Sequence, residues 1–176
     1  MKEILEFMIS DCMHPLFYLP KAVIIAVFAA VMIRIGKSIW YKNRFLQWLF
    51  DRRWVCFFLC IYIYVLLNEA FFSRPPGSRN TVSLTLFQTW GKTAQSHAYV
   101  LENVLMFIPF GILIPMLAGW KRAKQGWLCI LSAFCASTML EFAQWLTMRG
   151  HCQLDDVVTN TIGAGIGWIL FSLIKL

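Results

Sequence analysis

The sequence predicts an all-α, polytopic membrane protein, a bundle of about five transmembrane helices. Of its 176 residues, 59% are hydrophobic and only 14% are charged, whereas soluble globular domains carry about 25% charged residues. The mean hydropathy is +0.63, which implies more apolar surface than one soluble domain of this length can bury. The apolar residues also fall into five separate runs, each near the roughly 20 residues that a helix needs to cross the hydrocarbon core.

These five runs set the predicted boundaries of the spans. Residues 1–176 are expected to form a single membrane domain, since the chain has the length of one domain. Pro109 and Pro115 interrupt the third run and each removes a backbone hydrogen bond, so two topologies stay open for it, a full span and a re-entrant segment. The predicted spans are Leu16–Ile35, Trp54–Phe72, Val100–Trp120, Trp127–Thr147 and Asp156–Ile174.

The first residues are acidic, whereas a signal peptide begins with basic ones. Glu3, Glu6 and Asp11 precede the first run, and no small-residue cleavage site follows it. We therefore expect the first run to stay in the protein as a membrane anchor.

Most basic residues lie on one predicted side of the membrane. Loops rich in lysine and arginine stay in the cytoplasm, so their distribution predicts an N-out, C-in orientation. The net charge is then +9 inside and −2 outside, which accounts for the total of +7 without a nucleic-acid partner. The inner excess suits contact with anionic lipid. The inner basic residues are Arg34, Lys37, Lys42, Arg44, Arg52, Arg53, Lys121, Arg122, Lys124 and Lys175.

Polar residues gather at the predicted outer ends of the later spans. Glu141 and Gln144 share a helix face near the end of the fourth span, and Arg149 follows in the turn. Asp155 and Asp156 open the fifth span, where a helix N-terminus favours negative side chains. Simpler roles stay open for these residues, namely helix caps for the two aspartates and a Glu141–Arg149 salt bridge that fixes the turn.

Two asparagines extend this group. Asn103 stands at the outer end of the third span, and Asn160 lies one turn deeper than Asp156 on the same face. They can also serve simply as hydrogen bonds between helices. Because ionisable residues in membrane spans are costly and indicate function, we predict one outward-facing ligand-binding cluster, in which Glu141, Asp155 and Asp156 are the catalytic candidates. Its predicted members are Asn103, Glu141, Gln144, Arg149, Asp155, Asp156 and Asn160.

Other residues have predicted structural roles. Pro109 is expected to bend the third span, while Gly111, Gly163 and Gly167 let helices approach closely. No metal or cofactor is predicted, since no ligand spacing is recognisable around the histidines. Cys12 and Cys152 fall on the same predicted side, so a disulfide between them stays open.

The later spans carry an ordered set of motifs: "NVLMFIPFGILIP", "EFAQ" and "RGHCQLDDVVTNTIGAGIGW". This set, over about residues 100–170, resembles the VanZ-like family of bacterial membrane proteins. The resemblance implies four to five helices in the plasma membrane of a Gram-positive-type bacterium. It also implies a link to the cell surface and to resistance to the lipoglycopeptide teicoplanin, without implying a reaction.

The leading functional hypothesis is a binding protein of the outer leaflet. The polar cluster would hold the head group of a membrane lipid, a lipid-linked wall precursor or a lipid-tailed antibiotic. Apolar side chains nearby, among them Phe107, Phe110, Trp90 and Trp145, would contact its acyl chain. The alternatives are an intramembrane enzyme that modifies such a lipid, with Glu141 as general base, and a small transporter.

Overall fold

A computed structural model of the protein describes residues 13–77, 81–87, 93–120 and 125–174. A 3-10 turn, His14–Tyr18, precedes the first helix, and a π-helical turn, Asn68–Phe72, extends the third. Two-residue strands β1 (Val82–Ser83) and β2 (Cys152–Gln153) pair in parallel. The helices are α1 (Leu19–Ile39), α2 (Arg44–Asp51), α3 (Arg53–Leu67), α4 (Ala94–Ala118), α5 (Gly126–Leu146) and α6 (Leu154–Ile174).

Five helical segments are long and apolar enough to cross a membrane, which confirms the predicted all-α membrane bundle. Large apolar side chains cover their outer faces, as lipid contact requires; Phe28 is 66% exposed and Trp127 is 62% exposed. The N-out, C-in orientation stays a prediction. The segments are His14–Ile39, Arg53–Phe72, Ala94–Ala118, Gly126–Leu146 and Leu154–Ile174.

Helix α4 begins earlier than its apolar residues indicate. Thr93 accepts a hydrogen bond from the backbone N–H of Ser96, and the Ser96 hydroxyl accepts one from the backbone N–H of Thr93, both at 3.1 Å. This reciprocal cap starts the helix at Ala94 although its first turn is polar. The helix then continues through Pro109 and Pro115 to Ala118, so the third segment is one continuous helix.

Helix α2 was not predicted, since its eight residues lie inside a basic loop. The side chain of Asn43 caps it by accepting hydrogen bonds from the backbone N–H groups of Phe45 and Leu46, at 3.0 and 3.1 Å. The helix connects α1 to α3 at the end of the bundle that carries the described inner basic residues. We call this the basic end, and we call the opposite end, where α3 finishes and α6 starts, the polar end.

The core centres on a close crossing of α4 and α6. A Cβ atom at Gly163 would overlap the backbone carbonyl of Val104, and one at Gly111 would overlap that of Ala164. The two backbones are therefore in direct contact, as small residues permit in membranes. Phe107 is buried beside this crossing. The crossing fixes α4 against α6 from Val104 and Gly163 onward.

Candidate functional site

Glu141 lies near the end of α5 and is almost completely buried, with 3% of its surface exposed. Its Oε2 accepts a hydrogen bond of 2.9 Å from the backbone N–H of Gln153 in β2. Burying a carboxylate in a membrane bundle is costly, so partners are required to stabilise it. Glu141 therefore anchors the turn between α5 and α6 to the inside of the polar end.

The two aspartates of α6 contact different elements. Oδ1 of Asp156 accepts a hydrogen bond of 2.9 Å from the side-chain amide of Asn103 in α4. Oδ1 of Asp155 accepts one of 2.6 Å from the backbone N–H of Phe87, in the segment that follows β1. These carboxylates therefore join α6 to α4 and to residues 81–87, a role beyond the local helix caps considered above.

Arg74, just beyond the π-helical turn, is the cation of the site. Its guanidinium attracts the carboxylates of both Glu141 and Asp156, while those two carboxylates repel each other. Its Nη1 also faces Gly150, where an added Cβ would lie 3.0 Å away. Arg74 is not among the residues that the sequence predicted for the cluster. The available sequence signal was that Arg74 is a basic residue just after a predicted span, on the predicted outer side, where most acidic residues lie.

Arg149 contacts other groups than Glu141, which was considered from the sequence as its salt-bridge partner. Its Nη1 donates a hydrogen bond of 2.8 Å to the backbone carbonyl of Arg74, and its guanidinium carbon lies 5.1 Å from the ring centroid of Phe71. Among the residues that the structure describes, Glu141 is bonded to Gln153 instead. No Glu141–Arg149 salt bridge is present among the described residues, and Arg149 instead fixes the backbone that carries Arg74.

The side-chain amide of Gln144 has a hydrogen-bonded nitrogen and an oxygen without a hydrogen-bond partner among the described residues. Its amide nitrogen donates a hydrogen bond of 2.6 Å to the carbonyl of Ala70, inside the π-helical turn. That turn is closed by the backbone N–H of Ser73 bonding five residues back to Asn68, at 2.8 Å. Oε1 of Gln144 is buried and has no hydrogen-bond partner within the described residues. An added Cβ at Gly150 would lie 3.1 Å from this oxygen, which therefore faces the same small space as Arg74.

A second polar layer lies one turn deeper. The side-chain amide of Asn160 in α6 donates a hydrogen bond of 2.8 Å to the hydroxyl of Ser137 in α5. Asn160 is only 1% exposed, and its Oδ1 has no partner in the described part of the chain. Ser137, which sequence reasoning missed, lies four residues before Glu141 on the same face of α5. The polar face of α5 thus continues from Gln144 down to Ser137.

The paired strands cover the polar end. The backbone N–H of Cys152 donates to the carbonyl of Thr81 at 2.9 Å, and the Thr81 hydroxyl is hydrogen-bonded to Nδ1 of His151. Burial raises the pKa of the Cys152 thiol, and the carboxylates of Glu141 and Asp156 raise it further. Cys152 is therefore a poor nucleophile. Cys12, with which a disulfide was left open, lies outside the described residues.

No group of three or more His, Cys, Asp or Glu side chains could hold a metal ion in the part of the chain that the structure describes. What the site offers is a guanidinium, two carboxylates and an unsatisfied amide oxygen. These groups can bind a polar molecule that both donates and accepts hydrogen bonds. Of the aromatic residues considered as acyl-chain contacts, Phe107 is buried in the core, and Trp90 lies outside the described residues.

The sequence profile of the VanZ/LLP1 family matches residues 54–175, well over half of the chain. The chain belongs to the VanZ/LLP1 family. "Protein VanZ" of Enterococcus faecium is 28% identical to it over 99 residues, which are 54% of this chain and 55% of that protein. The chain thus spans about half the length of this curated relative. No solved structure matches the chain.

The VanZ/LLP1 match begins before the residues by which the sequence resembles the family. It starts at Trp54 and therefore includes α3, the π-helical turn and Arg74. The motif residues of α4, α5 and α6, from Asn103 to Gly163, meet at the polar end and at the α4–α6 crossing. The family's ordered motifs thus correspond to one region of the bundle.

Proposed function

We propose that this VanZ/LLP1-family protein binds the polar head group of a membrane lipid or a lipid-linked wall precursor at its polar end. The site faces the outer leaflet of the bacterial plasma membrane, and its occupancy lowers susceptibility to teicoplanin. One observation carries the proposal. Oε1 of Gln144 is buried and unsatisfied within the described residues, and it lies 3.1 Å from the Cβ position at Gly150, from which Nη1 of Arg74 lies 3.0 Å. A buried polar atom without a partner costs about 1–3 kcal/mol, which a bound hydrogen-bond donor offsets.

The charges of the site define the ligand further. Two carboxyl groups, those of Glu141 and Asp156, lie within electrostatic reach of one guanidinium, that of Arg74, so a lone phosphate would pair only with the guanidinium. A head group that combines a phosphate with ammonium or sugar hydroxyl groups can pair with both the guanidinium and the carboxyl groups. Its phosphate contacts Arg74, and its donors contact the carboxylates and the Gln144 oxygen.

Apolar surface for an acyl chain lies beside the cluster on the lipid-facing side of α5. Phe142 and Leu146 are 55% and 65% exposed, and the Phe142 ring packs against Trp145 with 5.7 Å between centroids. These residues lie at the same end of α5 as Glu141 and Gln144. An amphiphile with its head group in the cluster therefore has a hydrophobic surface for its tail.

The test is identification of bound lipid by mass spectrometry after purification in mild detergent. Glu141→Gln replaces the carboxyl group with an amide of the same shape, and Asp51→Asn makes the same replacement at the basic end. We expect one polar lipid to be enriched with wild type and with Asp51→Asn, and to fall at least about tenfold with Glu141→Gln. The teicoplanin concentration that inhibits growth should fall with the same variant. Identical bound lipids in all three proteins would overturn the proposal.

A second candidate is an intramembrane enzyme acting on such a lipid. The observation that favours it is the mutual repulsion of Glu141 and Asp156 beside Arg74, since paired carboxylates serve as general acid and base. It predicts a lipid species in whole membranes that appears with wild type and disappears with Glu141→Gln. A binding protein leaves the membrane lipid species unchanged.

A further inference from the structure

An apolar groove of about 320 Å³ lies near the basic end, between α1 and α3. Val27, Ala30 and Val31 of α1 form one wall, and Trp54 and Phe57 of α3 form the other. Val27 and Val31 are each nearly half exposed and Trp54 is 66% exposed, so the groove opens to the lipid. The groove therefore offers apolar walls to one hydrocarbon chain.

Two arginines from different helices stand at the basic end of this groove. Arg34 lies on the same face of α1 as Val27 and Val31, about 10 Å along the helix axis from Val27 at 1.5 Å per residue. Arg53, on the first turn of α3, lines the groove opposite it. Both are exposed. The groove therefore has apolar walls along its length and two cationic side chains at one end.

Arg53 is held in place by α2. Its Nη1 donates a hydrogen bond of 3.3 Å to the carbonyl of Phe50, and its guanidinium carbon lies 4.9 Å from the Phe50 ring centroid. Lys37 also contacts this ring, with Nζ 3.6 Å from the centroid. Fixing a guanidinium in this way reduces the side-chain entropy that ligand binding would otherwise cost. The short helix α2 thus holds the Arg53 guanidinium in place at the end of the groove, where an anion can bind it.

We propose that this groove binds an anionic glycerophospholipid, with its phosphate between Arg34 and Arg53 and one acyl chain along Val27, Ala30 and Phe57. Guanidinium groups bind phosphate through paired hydrogen bonds, and the apolar walls exclude water from the chain. The groove is at the opposite end from Glu141 and Arg74, so this inference does not depend on the proposed function. In the predicted orientation it faces the inner leaflet, whose anionic lipids attract basic segments.

The experiment measures phosphatidylglycerol binding to the full chain in phosphatidylcholine nanodiscs, by native mass spectrometry over a lipid titration. The test variant is Arg34→Gln with Arg53→Gln. The matched control is Lys42→Gln with Arg44→Gln, which removes two exposed charges from the same end but outside the groove. We expect the test pair to weaken phosphatidylglycerol binding at least about tenfold more than the control pair. Equal losses would show only general surface attraction and would overturn the proposal.

A second variant leaves the charges intact. Ala30→Phe fills the groove between α1 and α3 and should also reduce phosphatidylglycerol binding, while the inhibitory concentration of teicoplanin stays at its wild-type value. Folding is checked for each variant by its helical circular dichroism and unfolding midpoint. Wild-type binding by a folded Ala30→Phe protein would overturn the acyl-chain site. Phosphatidylcholine binding as tight as phosphatidylglycerol binding would overturn the phosphate–arginine contact.

Discussion

The guanidinium of Arg149 donates a hydrogen bond to the backbone carbonyl of Arg74 across 2.8 Å. Two arginines that are 75 residues apart in the chain thereby adopt separate roles. Arg149 supports the backbone after the π-helical turn, and Arg74 presents its charge to Glu141 and Asp156. A change at Arg149 therefore acts on the site through the position of Arg74.

Arg149→Gln should lower the free energy of unfolding by about 1–3 kcal/mol, because it removes a charged hydrogen bond and the contact with the Phe71 ring. Arg149→Lys keeps the charge but loses the planar guanidinium, so its loss should be smaller. Thermal unfolding in detergent measures both. Arg44→Gln, an exposed arginine at the basic end, serves as the control and should unfold like wild type. Wild-type unfolding of Arg149→Gln would contradict the supporting role.

The α4–α6 crossing predicts opposite results for two neighbouring glycines. Gly163→Ala places a Cβ against the carbonyl of Val104 and should destabilise the protein by about 1–3 kcal/mol. Gly165→Ala meets nothing within 4 Å and should be neutral or stabilise by up to about 1 kcal/mol through helix propensity. Unfolding midpoints of the two variants give the comparison. Similar midpoints would mean that the backbones are not in contact at Gly163.

Cys152 should react slowly with a maleimide at neutral pH, because burial and two carboxylates raise its pKa and only the thiolate reacts. The rate should rise about tenfold per pH unit while the pH stays below that pKa. Glu141→Gln removes one negative charge and should speed labelling at fixed pH. Labelling is followed in a protein whose only cysteine is Cys152.

The same protein tests the orientation. A membrane-impermeant maleimide should label Cys152 in intact cells, since the N-out, C-in prediction places the turn between α5 and α6 outside. Labelling that requires permeabilised cells would reverse the orientation and would place the polar end in the cytoplasm.

Hydropathy located the five spans, because each is an apolar run of about the 20 residues that a helix needs to cross the hydrocarbon core. It did not locate the start of α4, which depends on the hydrogen bonds between Thr93 and Ser96 and not on apolar residues. It also missed α2, since eight residues with mixed polarity look like a loop until the Asn43 cap and the Phe50 contacts are seen. Local hydrogen bonds thus set boundaries that average hydropathy cannot show.

The contents of the polar end could be predicted only in part. Helix direction alone places Asn103, Glu141 and Asp156 at one end. The third and fifth spans begin on the side of the membrane where the fourth span ends. The partner of each could not be predicted, since the contacts join Arg74, Phe87 and Gln153 from segments without periodicity. In the sequence, Arg149 was selected for its place in the short turn and Arg74 was omitted, and only the folded loops show that Arg74 is the guanidinium that acts on the carboxylates.

The backbone contact between α4 and α6 also has a consequence for the proposed ligand binding. Helices that touch at Gly111, Gly163 and Gly167 have no flexible side chains at the crossing to absorb a separation, so moving them apart opens an empty space. We therefore expect α4 and α6 to stay fixed during ligand exchange. If the proposed ligand binds, we expect it to enter by displacement of α5 or of residues 81–87.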